Sequence, residues 1–188
     1  MKNKIINLIN VIFIIIAILI SLYFVVFRDN KIGLILKDLS VIITITLPYI
    51  IEKLFKLKID NVTKSFYIIF VFFAHFLGAI CEVYNMFQGF DKITHWLSGI
   101  LTAHIALLLL KQMKKHNKKD RMFNILFMIS ITFMIAGLWE IFEFCANILF
   151  GGDAQRVAAT GVTDTMLDII VAFLGSIIYS IVHYFKNK

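Results

Sequence analysis

Apolar residues run along this chain in six long stretches, each broken only by isolated polar positions: Ile5 to Phe27, Leu39 to Phe55, Ser65 to Met86, Ile93 to Leu110, Met122 to Phe150 and Thr165 to Phe185. A helix of about 20 such residues, rising about 1.5 Å per residue, crosses the roughly 30 Å hydrocarbon layer of a bilayer. The pattern predicts an all-α fold, a polytopic bundle of about six transmembrane helices, with the last two turns of the fifth stretch at the interface. In the second stretch Pro48 predicts a kink unless a neighbouring group takes up the carbonyl that the missing N–H leaves free.

Four of the stretches carry an ionisable residue at nearly the same distance from a basic residue at one end. Glu82 is 18 positions from Lys64, His95 16 from Lys111, Glu140 19 from Arg121 and Asp168 18 from Lys186. At the helical rise these groups lie roughly 24 to 28 Å across the slab, in one layer just inside the outer face. Charged groups in lipid cost a few kcal/mol each and therefore turn toward a bundle interior. The layer is the candidate functional site.

Neighbouring polar residues follow helical spacing. His75, Gly78, Ala79 and Glu82 are predicted to share a face of the third helix, with His75 near the midplane hydrogen-bonded to a neighbouring carbonyl. Asp91 and His95 are one turn apart, so the carboxylate can orient the imidazole or join it on a cation. Glu140 and Glu143 project to one side with Asn147 a turn beyond, and two carboxylates held this close demand a cation or a shared proton. Asp164 aligns with Asp168 at the start of the last helix, where Thr163 or Asp164 is a natural N-cap. Ala172, Gly175 and Ser176 follow as a seam for close helix packing. The loop from Gly151 to Gly161 supplies Gln155 and Arg156, the latter able to neutralise the carboxylates or meet an anionic head group.

Composition supports the membrane reading: 60% of residues are hydrophobic, 16% are charged and the mean hydropathy is +0.87. The net charge of +7 does not point to nucleic acid, because its distribution sets topology instead. With both termini cytoplasmic, 14 of the 19 Lys and Arg lie inside, leaving Arg28, Lys31, Lys37, Lys92 and Arg156 outside. The basic run from Lys111 to Arg121 suits an anionic inner leaflet. Lys2 and Lys4 precede an apolar run without a small-residue cleavage site, as expected of an uncleaved first span in a multi-pass inner-membrane protein. Cys81 and Cys145 read as inert thiols, although both fall on the outer side, where a disulfide can form. No linker or repeat divides the chain, so one integral membrane domain is expected, with scaffold helices in 1–58 and a four-helix part carrying the site in 63–188.

The phrases Asp91-Lys-Ile-Thr-His95-Trp, Trp139-Glu140-Ile-Phe-Glu143 and Asp164-Thr-Met-Leu-Asp168 with Gly175 resemble the membrane family typified by YjdF and, more distantly, VanZ-like proteins. VanZ-like proteins share an Asp-Lys-x-x-His segment, a later glutamate and a final aspartate-rich helix ending in small residues. The resemblance runs roughly from Glu82 to Ser180. It departs from the VanZ-like pattern where Glu140-Ile-Phe-Glu143 stands in place of a Glu-x-x-Gln, so no glycopeptide-resistance role is implied. The YjdF-like resemblance implies no particular activity.

Three function classes follow. In a metal-dependent enzyme acting on lipid-linked or amphiphilic substrates, His95, Glu140, Glu143 and Asp168, with Glu82 and Asp164 nearby, hold Mg, Mn, Ca or Zn. Glu140 and His95 then act catalytically and Asp91 orients His95. In a cation- or proton-coupled transporter the same acids bind the ion, but His104, Ser130 and Thr132 are the few polar residues inward of the layer. In a non-catalytic envelope protein the layer is a structural ion site or meets a partner. H-E-x-x-H, G-x-S-x-G and P-loop motifs are absent from the sequence.

Overall fold

The computed structural model describes residues 2–27, 32–87, 89–117, 119–151, 153 and 155–186. Arg28, Lys31, Lys118 and Lys188, used above to infer topology, lie outside the described residues. Among those described, the chain is helical and contains no strand: α1 Lys2–Phe27, α2 Ile32–Phe55, α3 Asn61–Val71, a π-helical continuation Phe72–Ile80, α4 Val83–Met86, α5 Gly89–Gln112, α6 Arg121–Phe150, α7 Val157–Thr160 and α8 Thr163–Lys186. Six helices are long and apolar enough to cross a membrane: Lys4–Phe27, Leu34–Phe55, Asn61–Ile80, Gly89–Gln112, Arg121–Phe150 and Thr163–Lys186. The all-α, six-span expectation is met. Aspartate side chains start two of these spans. Asp60 Oδ1 accepts from the Val62 and Thr63 amides at 3.1 Å, and Asp120 Oδ1 from the Phe123 amide at 3.1 Å.

The chain divides into two compact units, Met1–Phe90 and Asp91–Lys188. In the first, α1, α2 and α3 with its π-helical continuation close around Ala17, Val41, Ile45, Ile68, Val71, Phe76 and Ile80. The third span thus packs with the first two. Pro48 stands inside a continuous α2, and the Thr44 carbonyl it deprives of an N–H partner accepts the Tyr67 hydroxyl at 3.0 Å. His75 meets hydroxyls of α2 instead of a carbonyl, with Thr44 Oγ1 2.9 Å from Nδ1 and Ser40 Oγ 3.1 Å from Nε2.

The helical face predicted for His75, Gly78, Ala79 and Glu82 does not form. A π-helix bonds i to i+5, as from the Cys81 amide to the Phe76 carbonyl at 2.9 Å, so residues three and four apart drift around the axis. The helix then stops, and Glu82 adopts a left-handed conformation with φ of 62° on an exposed turn. Among the described residues neither Cys81 nor Cys145 forms a disulfide.

In the second unit α5 and α8 run parallel and α6 runs antiparallel to both. Ala103, Ala106 and Leu107 of α5 pack on Met128 of α6, with Ile125, Phe127, Ile131 and Tyr179 around them. Phe133 of α6 stacks on Phe173 of α8, ring centroids 4.8 Å apart.

Candidate functional site

Two glycines bring α5 and α8 into backbone contact. A Cβ on Gly99 would strike the Ala172 carbonyl, and one on Gly175 would strike the Trp96 carbonyl. Small residues permit such an approach because only backbone atoms then stand between the helix axes. Their seam fixes the register of the polar residues one to two turns nearer the N-terminal ends of both helices.

At those ends Lys92 is the hub. Its Nζ donates to Asp164 Oδ1 and Asp168 Oδ1, each at 2.6 Å, and to Asp91 Oδ2 at 3.1 Å, with the Asp164 carbonyl at 3.4 Å. An ammonium has three protons, and three carboxylates from two helices share them. The sequence pattern marks Lys92 only as a cation near the layer and turns to Arg156 for the counter-charge. The spacing Asp91-Lys92 with Asp164 and Asp168 one turn apart carried the signal, but the partner helix had to be known.

His95 Nε2 lies 3.6 Å from Asp91 Oδ1 and 3.8 Å from Asp168 Oδ1, close to ion-pair range but beyond hydrogen bonding. One ligand atom from each of Asp91, His95 and Asp168 falls within 4.8 Å of the others. That spacing suits a cation between them, since metal–oxygen and metal–nitrogen distances of about 2.0 to 2.6 Å put neighbouring donors roughly 3 to 5 Å apart. This Asp/His/Asp group can bind a metal. Asp168 and Asp164 are nearly enclosed, with side chains 4% and 6% exposed, whereas Lys92 is 26% and Asp91 21% exposed. The cluster therefore opens on the Asp91 and Lys92 side.

Asp164 serves Lys92 and not the predicted N-cap role: it lies inside the first turn of α8, and its Oδ2 is buried without a hydrogen bond among the described residues. Glu140 is buried on α6, where Gln155 from the α6–α7 connection reaches it, Nε2 donating to its carbonyl at 3.0 Å and to Oε2 at 3.3 Å. Its Oε1 is buried without a hydrogen bond among the described residues. Glu140 sits within electrostatic reach of Asp91 and Lys92, and Glu143 within reach of Glu140, Asp91 and Asp168. Glu143 accepts the Trp139 indole N–H at 2.8 Å. Of the residues the sequence nominates, Asp91, His95 and Asp168 converge on one group, Asp164 joins through Lys92, and Glu140 and Glu143 flank it. Glu82 belongs to the first unit.

Gln155 is buried because its loop is folded by its own turn chemistry. Asp153 accepts the Val157 amide at 2.7 Å and the Ala158 amide at 3.1 Å, while Arg156 turns the chain through φ of 53°. Those bonds start α7 and direct Gln155 toward Glu140.

Comparison with known proteins agrees with the membrane architecture. The family described as "Predicted membrane protein (DUF2238)" matches residues 9–188. An uncharacterized protein of Thermotoga maritima is 30% identical over 130 residues, covering 68% of this chain and 65% of the relative. No solved structure matches.

Proposed function

We propose, for a chain that belongs to the DUF2238 family of predicted membrane proteins, a membrane-embedded, metal-dependent enzyme acting on the head group of a lipid-linked or amphiphilic substrate. The observation that carries this reading is the approach of ligand atoms of Asp91, His95 and Asp168 to within 4.8 Å of one another at one end of two spanning helices. Two carboxylates and an imidazole suit Mg, Mn or Ca through oxygen, and Zn through His95. Such an ion supplies Lewis acidity toward a phosphoryl or carbonyl oxygen.

The chain's own groups do the rest. Asp91 orients the His95 ring from one turn away, and His95 would hold the ion through Nε2. Glu140, fixed by Gln155, is the proton-bearing group, and Glu143 stands beside it. Lys92 neutralises the aspartates in the absence of an ion and, as the more exposed member, is free to turn toward an anionic head group. Membrane lipids are then the immediate partners. The charge distribution supports an inner-membrane protein with both termini cytoplasmic and the site facing outward. Family membership fits the YjdF-like resemblance loosely, and the VanZ-like one is not shown by the matched family or relative.

Elemental analysis of the detergent-purified protein tests the reading. A stoichiometric divalent ion in wild type, lost in folded Asp168→Asn and His95→Ala, is expected. Wild type without an ion after dialysis against Mg, Mn, Ca and Zn in turn would overturn it.

A further inference from the structure

Beyond the aspartate cluster, the second unit carries polar side chains that none of the chemistry above uses. They follow one another toward the far end of α8. Ser176, Tyr179, Ser180 and His183 occupy one side of that helix, where Ser176 and Ser180 are buried. His104 of α5 meets Tyr179, its Nδ1 2.6 Å from the phenolic oxygen, and the two rings lie edge to face at 5.6 Å. His183 is a turn further on, its ring 5.9 Å from that of His116 beyond the end of α5. It lies within electrostatic reach of His104, His116 and Lys111. Toward the cluster, the single proton of the Thr102 hydroxyl has the Ser98 carbonyl at 2.8 Å and Thr132 Oγ1 of α6 at 3.1 Å as alternative acceptors. Ser98 in turn donates to the His95 carbonyl at 2.7 Å.

Thr102, His104, Ser176, Tyr179 and Ser180 sit where lipid-crossing helices ordinarily carry Leu, Ile and Val, and polar groups at such depth mark ion and proton pathways, while His183 and His116 stand at the end of α8 and beyond the end of α5. Ser180 adds an independent sign. Its Oγ is buried, with no hydrogen bond among the described residues, one position from Tyr179. A buried hydroxyl in that state is a site for water, which supplies the missing partner. From Asp164 to His183 the helical rise amounts to about 28 Å, the thickness of the hydrocarbon layer. The few polar residues expected inward of the layer are therefore joined by Tyr179, Ser176, Ser180, His183 and Thr102. The sequence does not show that they meet, because they come from three helices.

We infer that the second unit conducts protons across the membrane, with the His104–Tyr179–His183–His116 series as its relay and buried hydroxyls and water completing the path. Each hop balances on neutral groups. Tyr179 passes its hydroxyl proton to Nδ1 of His104 and takes up another on the same oxygen, through water, from His183, which is reprotonated at its other ring nitrogen from the aqueous phase on the His116 side. His104 releases the proton it carries on Nε2 to water toward Thr102 and returns to its starting tautomer when its ring turns. Tyr179 bears no net charge before or after the hop. The inference stands apart from the metal reading, since none of the four relay residues is a proposed ligand.

The test is proton flux into liposomes containing the full chain and a trapped pH-sensitive dye. A pH step is applied with potassium and valinomycin for charge balance, after the protein has been washed with chelator. Wild type is expected to dissipate the step faster than protein-free liposomes. Tyr179→Phe, which removes one oxygen and keeps the ring, and His104→Gln are expected to lower the protein-dependent rate by tenfold or more. Lipid-facing Leu174→Val, exposed on α8, is expected to leave it unchanged. Size-exclusion profiles matching wild type establish that the variants are folded. Wild type no faster than protein-free liposomes, or either relay variant as fast as wild type, would overturn the inference. Metal analysis of the same preparations separates the two ideas. Flux through a protein that never binds a metal supports the path while refuting the metal-dependent enzyme.

Discussion

Replacing Lys92 with Met removes the ammonium while keeping a long apolar stem of similar volume, and leaves Asp164 and Asp168 facing each other in an enclosed space. Breaking a buried ion pair by deleting one partner costs about 3–5 kcal/mol, because the remaining charge is stranded. Two features place this site near the lower bound. Lys92 is 26% and Asp91 21% exposed, so part of the field is already screened, whereas Asp164 and Asp168 at 6% and 4% have no such relief. The expected loss is about 3 kcal/mol, roughly a hundredfold in the unfolding equilibrium. Reversible unfolding in mixed micelles reads it directly, and a cycle with Asp164→Asn isolates the pair. Once Lys92 is gone, neutralising Asp164 relieves repulsion instead of breaking a bond. The double variant should therefore be more stable than the sum of the two single losses predicts, by about 1–3 kcal/mol. A divalent ion should also rescue Lys92→Met more than wild type, since the ammonium no longer competes for Asp168 Oδ1; at 100 times Kd the gain is about 2.7 kcal/mol. Lys92→Met as stable as wild type, or strict additivity with Asp164→Asn, would refute the account of Lys92 as the hub.

Gly99→Ala drives a methyl into the Ala172 carbonyl and should destabilise by about 1–3 kcal/mol, whereas Gly137→Ala, with open space at its Cβ, should be neutral or stabilising by up to about 1 kcal/mol; thermal melts in one detergent compare them. Tyr67→Phe leaves the Thr44 carbonyl beside Pro48 without its partner and should cost about 1–3 kcal/mol in the same melts, a neutral result meaning that water replaces the phenol. Gln155→Leu strips two hydrogen bonds from Glu140 and should cost about 1–3 kcal/mol, while Asp153→Ala, by freeing the loop that presents Gln155, should produce a smaller loss in the same direction. Protection of the α6–α7 connection in hydrogen exchange checks both.

Helix existence was legible because burial in lipid imposes a length and a composition that no tertiary contact can override. Met122 to Phe150 against Arg121–Phe150 and Thr165 to Phe185 against Thr163–Lys186 differ only at their fraying ends. Where the backbone left the α-helical period, the reading failed. The π-helical turn from Phe72 to Ile80 and the left-handed Glu82 break a stretch whose hydrophobicity is continuous, and hydropathy carries no record of hydrogen-bond register. The seam at Ala172 and Gly175 was likewise legible as small residues at helical spacing, although nothing in it named Gly99 and Trp96 as the facing surface.

The sequence alone determined that this is a six-span helical membrane protein with acids and histidines at helix positions where lipid would penalise them, since both facts follow from one-dimensional spacing and transfer energies. Tertiary structure alone decided which of those residues meet. Lys92 reaches three aspartates, Gln155 closes on Glu140, and His104 finds Tyr179 because the contact of two glycines fixes how α5 and α8 cross. A charge more than a few ångströms away is nearly silent, and one at 2.6 Å governs the site; only packing sets that distance.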